Sequence, residues 1–258
     1  MGQRPTVFYG NEVLIIGKTD VKLFTEHLTR TASEFGLSME ETQLCRFTRY
    51  YELLCEWNEK MNLTAIIAPE EVAVKHMIDS LSCYDERIFK SGAAVVDIGT
   101  GAGFPGLPLK IWRPDISLFL MDSVAKRLNF LVALAQELQL DVKILHGRAE
   151  DAGREAAYRE NFDVAVSRAV ANLAVLAEYA LPLVKQGGYF LALKGAKYEE
   201  EIIAGRSAIK KLGGAKPQVR QVHLPGLDDK RAIVRVKKVK PTPANFPRPT
   251  GIPAKKPL

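Results

Sequence analysis

From residue 93 onward, short apolar runs alternate with segments of helical spacing. Runs at residues 93–98, 117–121, 142–145, 162–167 and 189–194 read as strands, and helices are expected to open near Pro105, Ser123, Glu150, Asn172 and Lys197. The strands are filled with β-branched and aliphatic residues without polar alternation, the pattern of a mostly parallel sheet covered by helices on both faces. Residues 219–224 and 232–236, joined by a Pro-Gly and Asp-Asp turn region, complete seven strands as an antiparallel pair at the sheet edge. Ahead of this α/β region the period is helical. A helix is expected over residues 20–35, stopped by Gly36. A second follows the capping-box pair Ser38 and Glu41, with Leu44, Phe47, Tyr51, Leu54 and Asn58 on one face, and runs to about Lys60. Pro69, Glu70 and Glu71 open a third, which carries Val72, His76, Asp79 and Ser80. From Pro241 the prolines favour an extended tail. The expected division is a leader with helical region (1–89), an α/β domain (90–240) and a proline-rich basic tail (241–258).

Composition narrows this picture. The 258 residues are 47% hydrophobic and 26% charged, an ordinary globular balance. The longest apolar runs fall far short of the roughly 18 residues a membrane span needs. Residues 13–16 are apolar, but no long hydrophobic region or cleavage site follows, so no secretory signal is expected and the default address is the cytoplasm. Cys45, Cys55 and Cys83 form no CxxC pair, which suits reduced, buried thiols and no metal. A net charge of +6 and a pI near 9.1 favour polyanionic partners, although a merely solvated basic surface stays open on charge alone.

The chemistry is signalled at the end of the first α/β strand, where Val95-Val96-Asp97-Ile98-Gly99-Thr100-Gly101-Ala102-Gly103-Phe104-Pro105-Gly106 joins a buried strand, a glycine-rich turn and a helix start. Glycines allow positive φ and close approach of backbone to a ligand, and the helix start offers free amides. Residues 101–106 also satisfy G-x-G-x-x-G, so a dinucleotide site and a structural turn stand as alternatives. Asp97 is expected beside the ligand, where it would repel a pyrophosphate but suit the ammonium and sulfonium of S-adenosylmethionine (SAM). Asp122, ending the next strand, is placed to accept bonds from two ribose hydroxyls, in NAD and SAM alike. Together they favour SAM. After the fourth strand stands Ser167-Arg168-Ala169-Val170 rather than the Asn/Asp-Pro-Pro-aromatic turn of amino-group methyltransferases, and no cysteine lies near the turn to attack a pyrimidine. Guanine N7 carries a free lone pair and needs no base.

With these residues in place, the sequence resembles the glucose-inhibited division protein B family of 16S rRNA guanine-N7 methyltransferases. The resemblance rests on Asn62-Leu63-Thr64-Ala65, His76 with Asp79-Ser80-Leu81, the turn from Asp97 to Gly106, Asp122-Ser123 with Lys126-Arg127, Gly147-Arg148-Ala149-Glu150, Ser167-Arg168-Ala169 and Ala192-Leu193-Lys194-Gly195. It implies a Rossmann-like class I SAM-dependent methyltransferase fold with an N-terminal helical extension, acting on 16S rRNA or the small ribosomal subunit; a monomer is expected. It also implies cofactor contacts from Asp97, from the turn glycines Gly99, Gly101 and Gly103, and from Phe104. Asp122 would hold the ribose with Ser123 beside it, and Ala149 and Glu150 would border the adenine, Glu150 having a helix cap as its plainer role. Arg168 is the favoured residue to bridge cofactor and RNA, a surface ion pair being its alternative. Lys126, Arg127, Arg148, Lys194 and Lys197 would widen a basic mouth. His76 and Asp79 admit a metal reading, with lining of the cleft preferred. Tyr50, Tyr51 and Trp57 are candidates to stack on bases, with core packing the default, and the tail is either an RNA contact or a solubilising end. A methyltransferase of another RNA or of a small molecule, and a non-catalytic RNA-binding protein, are the rival readings.

Overall fold

The computed structural model describes residues 17–258 in full and, before them, only the backbone of two antiparallel strands, β1 (Thr6–Tyr9) and β2 (Glu12–Ile15). The expectation of no secretory signal, which turned on residues up to Ile16, therefore lies outside the fully described residues. Helix α1 (Lys18–Glu34) starts where the Gly17 amide donates to Asp20 Oδ2 at 2.9 Å and ends at Gly36, whose φ of +82° stops it. Helix α2 (Glu41–Met61) departs from the expected cap. The reciprocal bond runs from the Glu40 amide to Gln43 Oε1 (2.9 Å), not between Ser38 and Glu41. Any residue with extended backbone three positions before a Gln can make that bond, so the Ser-x-x-Glu pattern points two residues too early. The third front helix is continuous but irregular, with α3 (Pro69–Glu71), a π-helical stretch Val72–Ile78 and α4 (Asp79–Leu81). A wider turn of this kind is invisible to a 3.6-residue period.

The main sheet holds β3 (Ala94–Ile98), β4 (Ser117–Asp122), β5 (Val142–His146), β6 (Phe162–Arg168), β7 (Val184–Lys194), β8 (Gln218–Val222) and β9 (Arg231–Lys237). Their order is β5-β4-β3-β6-β7-β9-β8, parallel as far as β7 and antiparallel at β9 and β8. Strand β7 starts five residues earlier than expected, because a register shift between Phe162 and Val164 lets Val184 pair before the apolar run begins. Successive side chains of β3 feed opposite cores. Val95 packs with α5 (Gly106–Trp112), α6 (Ala125–Glu137) and the front helices, whereas Val96 packs with α7 (Ala149–Ala152), α8 (Leu173–Ala180) and α9 (Tyr198–Lys211). Because Phe24, Phe47, Tyr50 and Met77 share the first core, the front helices are packed onto one sheet face. The order in which strands are added switches sides between the parallel neighbours β3 and β6, which opens a crevice at their carboxyl ends.

The segment from Pro241 is not an extended tail. Phe246 is buried, α10 (Ile252–Lys255) forms a last turn, and the proline-rich backbone between them is tied to the body. Arg159 donates to the carbonyls of Phe246 (2.7 Å) and Thr242 (2.8 Å), and Arg248 forms a two-pronged pair with Glu178 (2.6 and 2.9 Å). Prolines remove backbone donors but leave carbonyl acceptors, and distant arginines satisfy these. The Glu178 side chain is 1% exposed, so Arg248→Ala strands a buried carboxylate. A loss of about 3 kcal/mol is expected in urea unfolding, with Arg248→Lys recovering only part of it.

Candidate active site

The crevice is divided into two clefts. The smaller, about 260 Å³, is lined by Gly99, Asp122, Ser123, Gly147, Ala149, Glu150 and neighbours from the carboxyl ends of β3, β4 and β5. The larger, about 710 Å³, is lined by residues including Lys75, His76, Asp79, Arg168, Lys197 and Arg231. Ala169 and Val170 line both, so the backbone after β6 is the partition. Ala169 holds it in a left-handed conformation, φ +56°.

Five of the expected cofactor contacts therefore meet in the smaller cleft: Gly99, Asp122, Ser123, Ala149 and Glu150. Asp122 Oδ2 accepts from the Gly101 amide (3.0 Å) and Oδ1 from the Val124 amide (2.8 Å), which fixes the carboxylate at the mouth of the glycine turn, with Arg127 3.6 Å away. Glu150 is buried but does not cap α7. Its Oε1 accepts from the Gly251 amide at 3.0 Å. Gly99, at φ +67°, has Val170 where a side chain would begin: an added Cβ would come within 2.6 Å of Val170 Cγ2.

The other turn residues act from behind. Asp97 does not border the cleft: it is fully buried, and Oδ2 accepts from Thr100 Oγ1 (2.7 Å) and the Gly106 amide (2.8 Å), bracing the turn from beneath. Its Oδ1 is buried without a partner. Burial raises the carboxyl to about 7 against these two bonds. Gly101, at φ +59°, has open space where a Cβ would stand, while Gly103, at φ +99°, packs on the Tyr50 hydroxyl and Leu107. Phe104 lies between the rings of Tyr50 (5.2 Å) and His76 (4.5 Å), outside the cleft lining. Sequence spacing locates the turn but not which side of it each residue serves.

Arg168, the last residue of β6, enters the larger cleft. Its Nη1 donates to Asp79 Oδ2 (2.8 Å) and the Lys75 carbonyl (2.9 Å), and its guanidinium sits 4.9 Å from the Phe104 ring centre. With side chains 15% and 6% exposed, this is not a surface ion pair. Asp79 also receives Arg231 Nη1 at 3.1 Å, so both carboxylate oxygens of the residue considered for a metal are bound to guanidinium groups. Of the expected basic mouth, Arg127 and Arg148 line the smaller cleft and Lys194 and Lys197 the larger, while Lys126 borders neither. Lys194 is engaged by Glu201 (2.7 Å) and the Ala171 carbonyl (2.6 Å). Lys75 and Arg231 were missed, since neither belongs to a motif; the signal was Asp79, a buried acid that demands cations. Tyr50 and Tyr51 are core residues, and Trp57 packs on Phe130. Cys55 and Cys83 are buried as expected, but Cys45 on α2 is exposed.

His76 is no proton acceptor near neutrality. Burial first, and Arg168 second, lower its pKa to about 3, while Nε2 lies 2.9 Å from Thr64 Oγ1. The unfolded imidazole titrates near 6.5. Between these values the unfolded chain binds a proton that the folded chain does not, so the His76 contribution makes stability fall as pH drops through that window. Asp97 works oppositely, its raised pKa favouring the folded state below 3.8 and losing that advantage as pH rises through about 7. The difference between wild type and His76→Asn isolates the first effect. Urea titrations at pH 4 to 6 should show the variant losing less stability toward acid, and parallel profiles would contradict the assignment.

A seven-stranded sheet with one antiparallel edge hairpin and a glycine turn braced by Asp97 make the Rossmann-like fold of class I methyltransferases, Asp122 suits the ribose of NAD or SAM alike, and the family decides for a SAM-dependent methyltransferase. The chain belongs to the rRNA small subunit methyltransferase G family, whose model matches residues 43–234. It is 49% identical over 232 residues to the ribosomal RNA small subunit methyltransferase G of Desulforamulus reducens, covering 90% of this chain and 97% of that one. It is 50% identical over 224 residues to the protein of the same name from an Exiguobacterium species (86% and 94% covered), and 44% identical over 238 residues to that of Clostridium novyi (92% and 98%). The resemblance read from the ordered motifs is thereby established. Among the described residues no helix is long and apolar enough to cross a membrane.

Proposed function

We propose that this chain methylates N7 of a guanine in the 16S rRNA of the small ribosomal subunit. The cofactor occupies the smaller cleft and the target base the larger, and the shared partition at Ala169 and Val170 carries this reading. The residues suit SAM: Asp122 offers a carboxylate to a ribose, Ala149 and Glu150 border the adenine with Ser123 beside the sugar, and the open space at Gly101 admits a ligand against the backbone. When bound, SAM supplies a sulfonium methyl that N7 takes with its lone pair, the C–S bond breaking as the N–C bond forms, so the base loses no proton. Asp97 contributes by holding the turn; Gly99, Gly103 and Phe104 set its backbone path. Arg168 lines the larger cleft and not the smaller, so it serves the target base beside the partition instead of gripping the cofactor, and Lys75, Lys197 and Arg231 supply cations toward RNA phosphates. No side chain in the larger cleft is needed as a base, in keeping with a neutral His76. The reaction uses no metal and one copy of the chain, in the cytoplasm. Within the 1–89 region residues 66–82 supply one side of the larger cleft, the 90–240 region supplies the other, and residues 241–258 close the domain.

The test incubates the protein with labelled SAM and small subunits or deproteinised 16S rRNA. N7-methylguanine is cationic and its ring is labile, so reduction followed by aniline should cut the labelled rRNA at one guanine. Label in rRNA that gives no cut, or label found only in another RNA or in a small molecule, contradicts the assignment.

A further inference from the structure

The wall of the smaller cleft opposite the glycine turn is built by a helix too short to hold itself. Helix α7 spans only Ala149–Ala152 and has no side-chain cap, yet it carries Ala149 and the buried Glu150. What holds it comes from about a hundred residues downstream. Glu150 Oε1 accepts from the Gly251 amide (3.0 Å), Asp151 Oδ1 from Thr250 Oγ1 (2.6 Å), and the Pro247 carbonyl from Arg154 Nε (2.9 Å), just past the helix. The same segment grips α8. Arg248 binds Glu178 through its amide (2.7 Å) and its guanidinium (2.6 Å), and the next residue, Tyr179, lines the smaller cleft together with Glu150. The three residues forming this wall, Ala149, Glu150 and Tyr179, thus sit on two elements that one strand of chain clasps together.

We propose that residues 247–251 are a positioning strap for the cofactor: by fixing Glu150 and clasping α7 to α8 they set the affinity for the adenosine portion of SAM and of the S-adenosylhomocysteine product. The inference rests on the reading that Glu150 borders the adenine. Nothing in the strap reaches the larger cleft, so its effect falls on cofactor binding and not on RNA binding.

The test uses isothermal titration with SAM on the full chain, a chain ending at Pro249, Glu150→Gln, and the two changes combined. Ending the chain at Pro249 removes residues 250–258, and with them Thr250, Gly251 and α10, but keeps Arg248 on Glu178. Each single change should weaken SAM about 10-fold, the effect of one charge-assisted hydrogen bond, and the combination should be no weaker than Glu150→Gln alone, because both act through one carboxylate. KM for SAM should rise while kcat at saturating SAM and KM for rRNA stay put, a split that general loosening would not give. Should the shortened chain fail to fold, Gly251→Ala carries the same test: its φ of +82° strains alanine in open space, and weakening of about 3-fold is expected. Full affinity in the strap variants beside weakened Glu150→Gln overturns the strap alone. Multiplying effects in the combination also overturn it. Full affinity in Glu150→Gln instead removes the adenine reading and the proposal with it.

Discussion

Arg168→Ala is expected to lower kcat for rRNA methylation about 1,000-fold while moving SAM affinity less than about 3-fold, the scale seen when a charged group serving the transition state is lost. The side chain belongs to the larger cleft, yet it is adjacent in sequence to Ala169, which lines both. Its Nη1 is held by Asp79 and the Lys75 carbonyl, so the guanidinium is oriented before any substrate arrives. That orientation is why lysine is a poor substitute: an ammonium cannot hold two anchoring bonds and still present a planar face 4.9 Å from Phe104. Arg168→Lys should recover less than about a tenth of the lost rate. Folding is expected to survive, because Asp79 keeps Arg231 at 3.1 Å. Single-turnover kinetics beside titration calorimetry separates the two quantities. Normal turnover in a folded Arg168→Ala protein would remove this residue from the mechanism.

Asp122→Ala should have the larger effect on cofactor binding, weakening SAM by about 100-fold or more, as two hydrogen bonds to a charged group are worth about 3 kcal/mol together. The carboxylate acts twice. It presents acceptor oxygen to the smaller cleft, and it ties the Gly101 and Val124 amides, so its removal also frees the glycine turn from the start of α6. Asp122→Asn keeps one acceptor and the shape, and is expected to fall between wild type and alanine. Circular dichroism establishes whether each variant is folded, and calorimetry with SAM reads the loss. An alanine variant that binds SAM at wild-type strength would take the ribose out of this position.

The parallel sheet was legible because its strands are continuous apolar runs cut by glycine and proline, and the lining of the smaller cleft because Gly99, Asp122 and Ala149–Glu150 each end or follow a strand. Three features were not legible, for related reasons. Whether Asp97 faces ligand or supports backbone depends on a single turn folding over it, which spacing along a strand does not report. The segment after Pro241 reads as extended because its own residues form no regular structure; what orders it are Arg159, Arg248 and Glu178, partners 70 or more residues apart in sequence. Arg231 on β9 has no neighbouring motif and acquires its role only when the sheet edge brings it to Asp79, 152 residues away. Local patterns report backbone preference and periodic burial, whereas charge partners across the fold are set by topology.

The most direct test is a crystal structure of the protein with SAM and a short guanine-containing RNA. The adenosine is expected between Asp122 and Glu150, with the sulfonium methyl directed past Ala169 and Val170 toward a guanine N7 beside Arg168. A cofactor lodged in the larger cleft, or a methyl group turned away from the partition, would contradict the assignment of the two clefts.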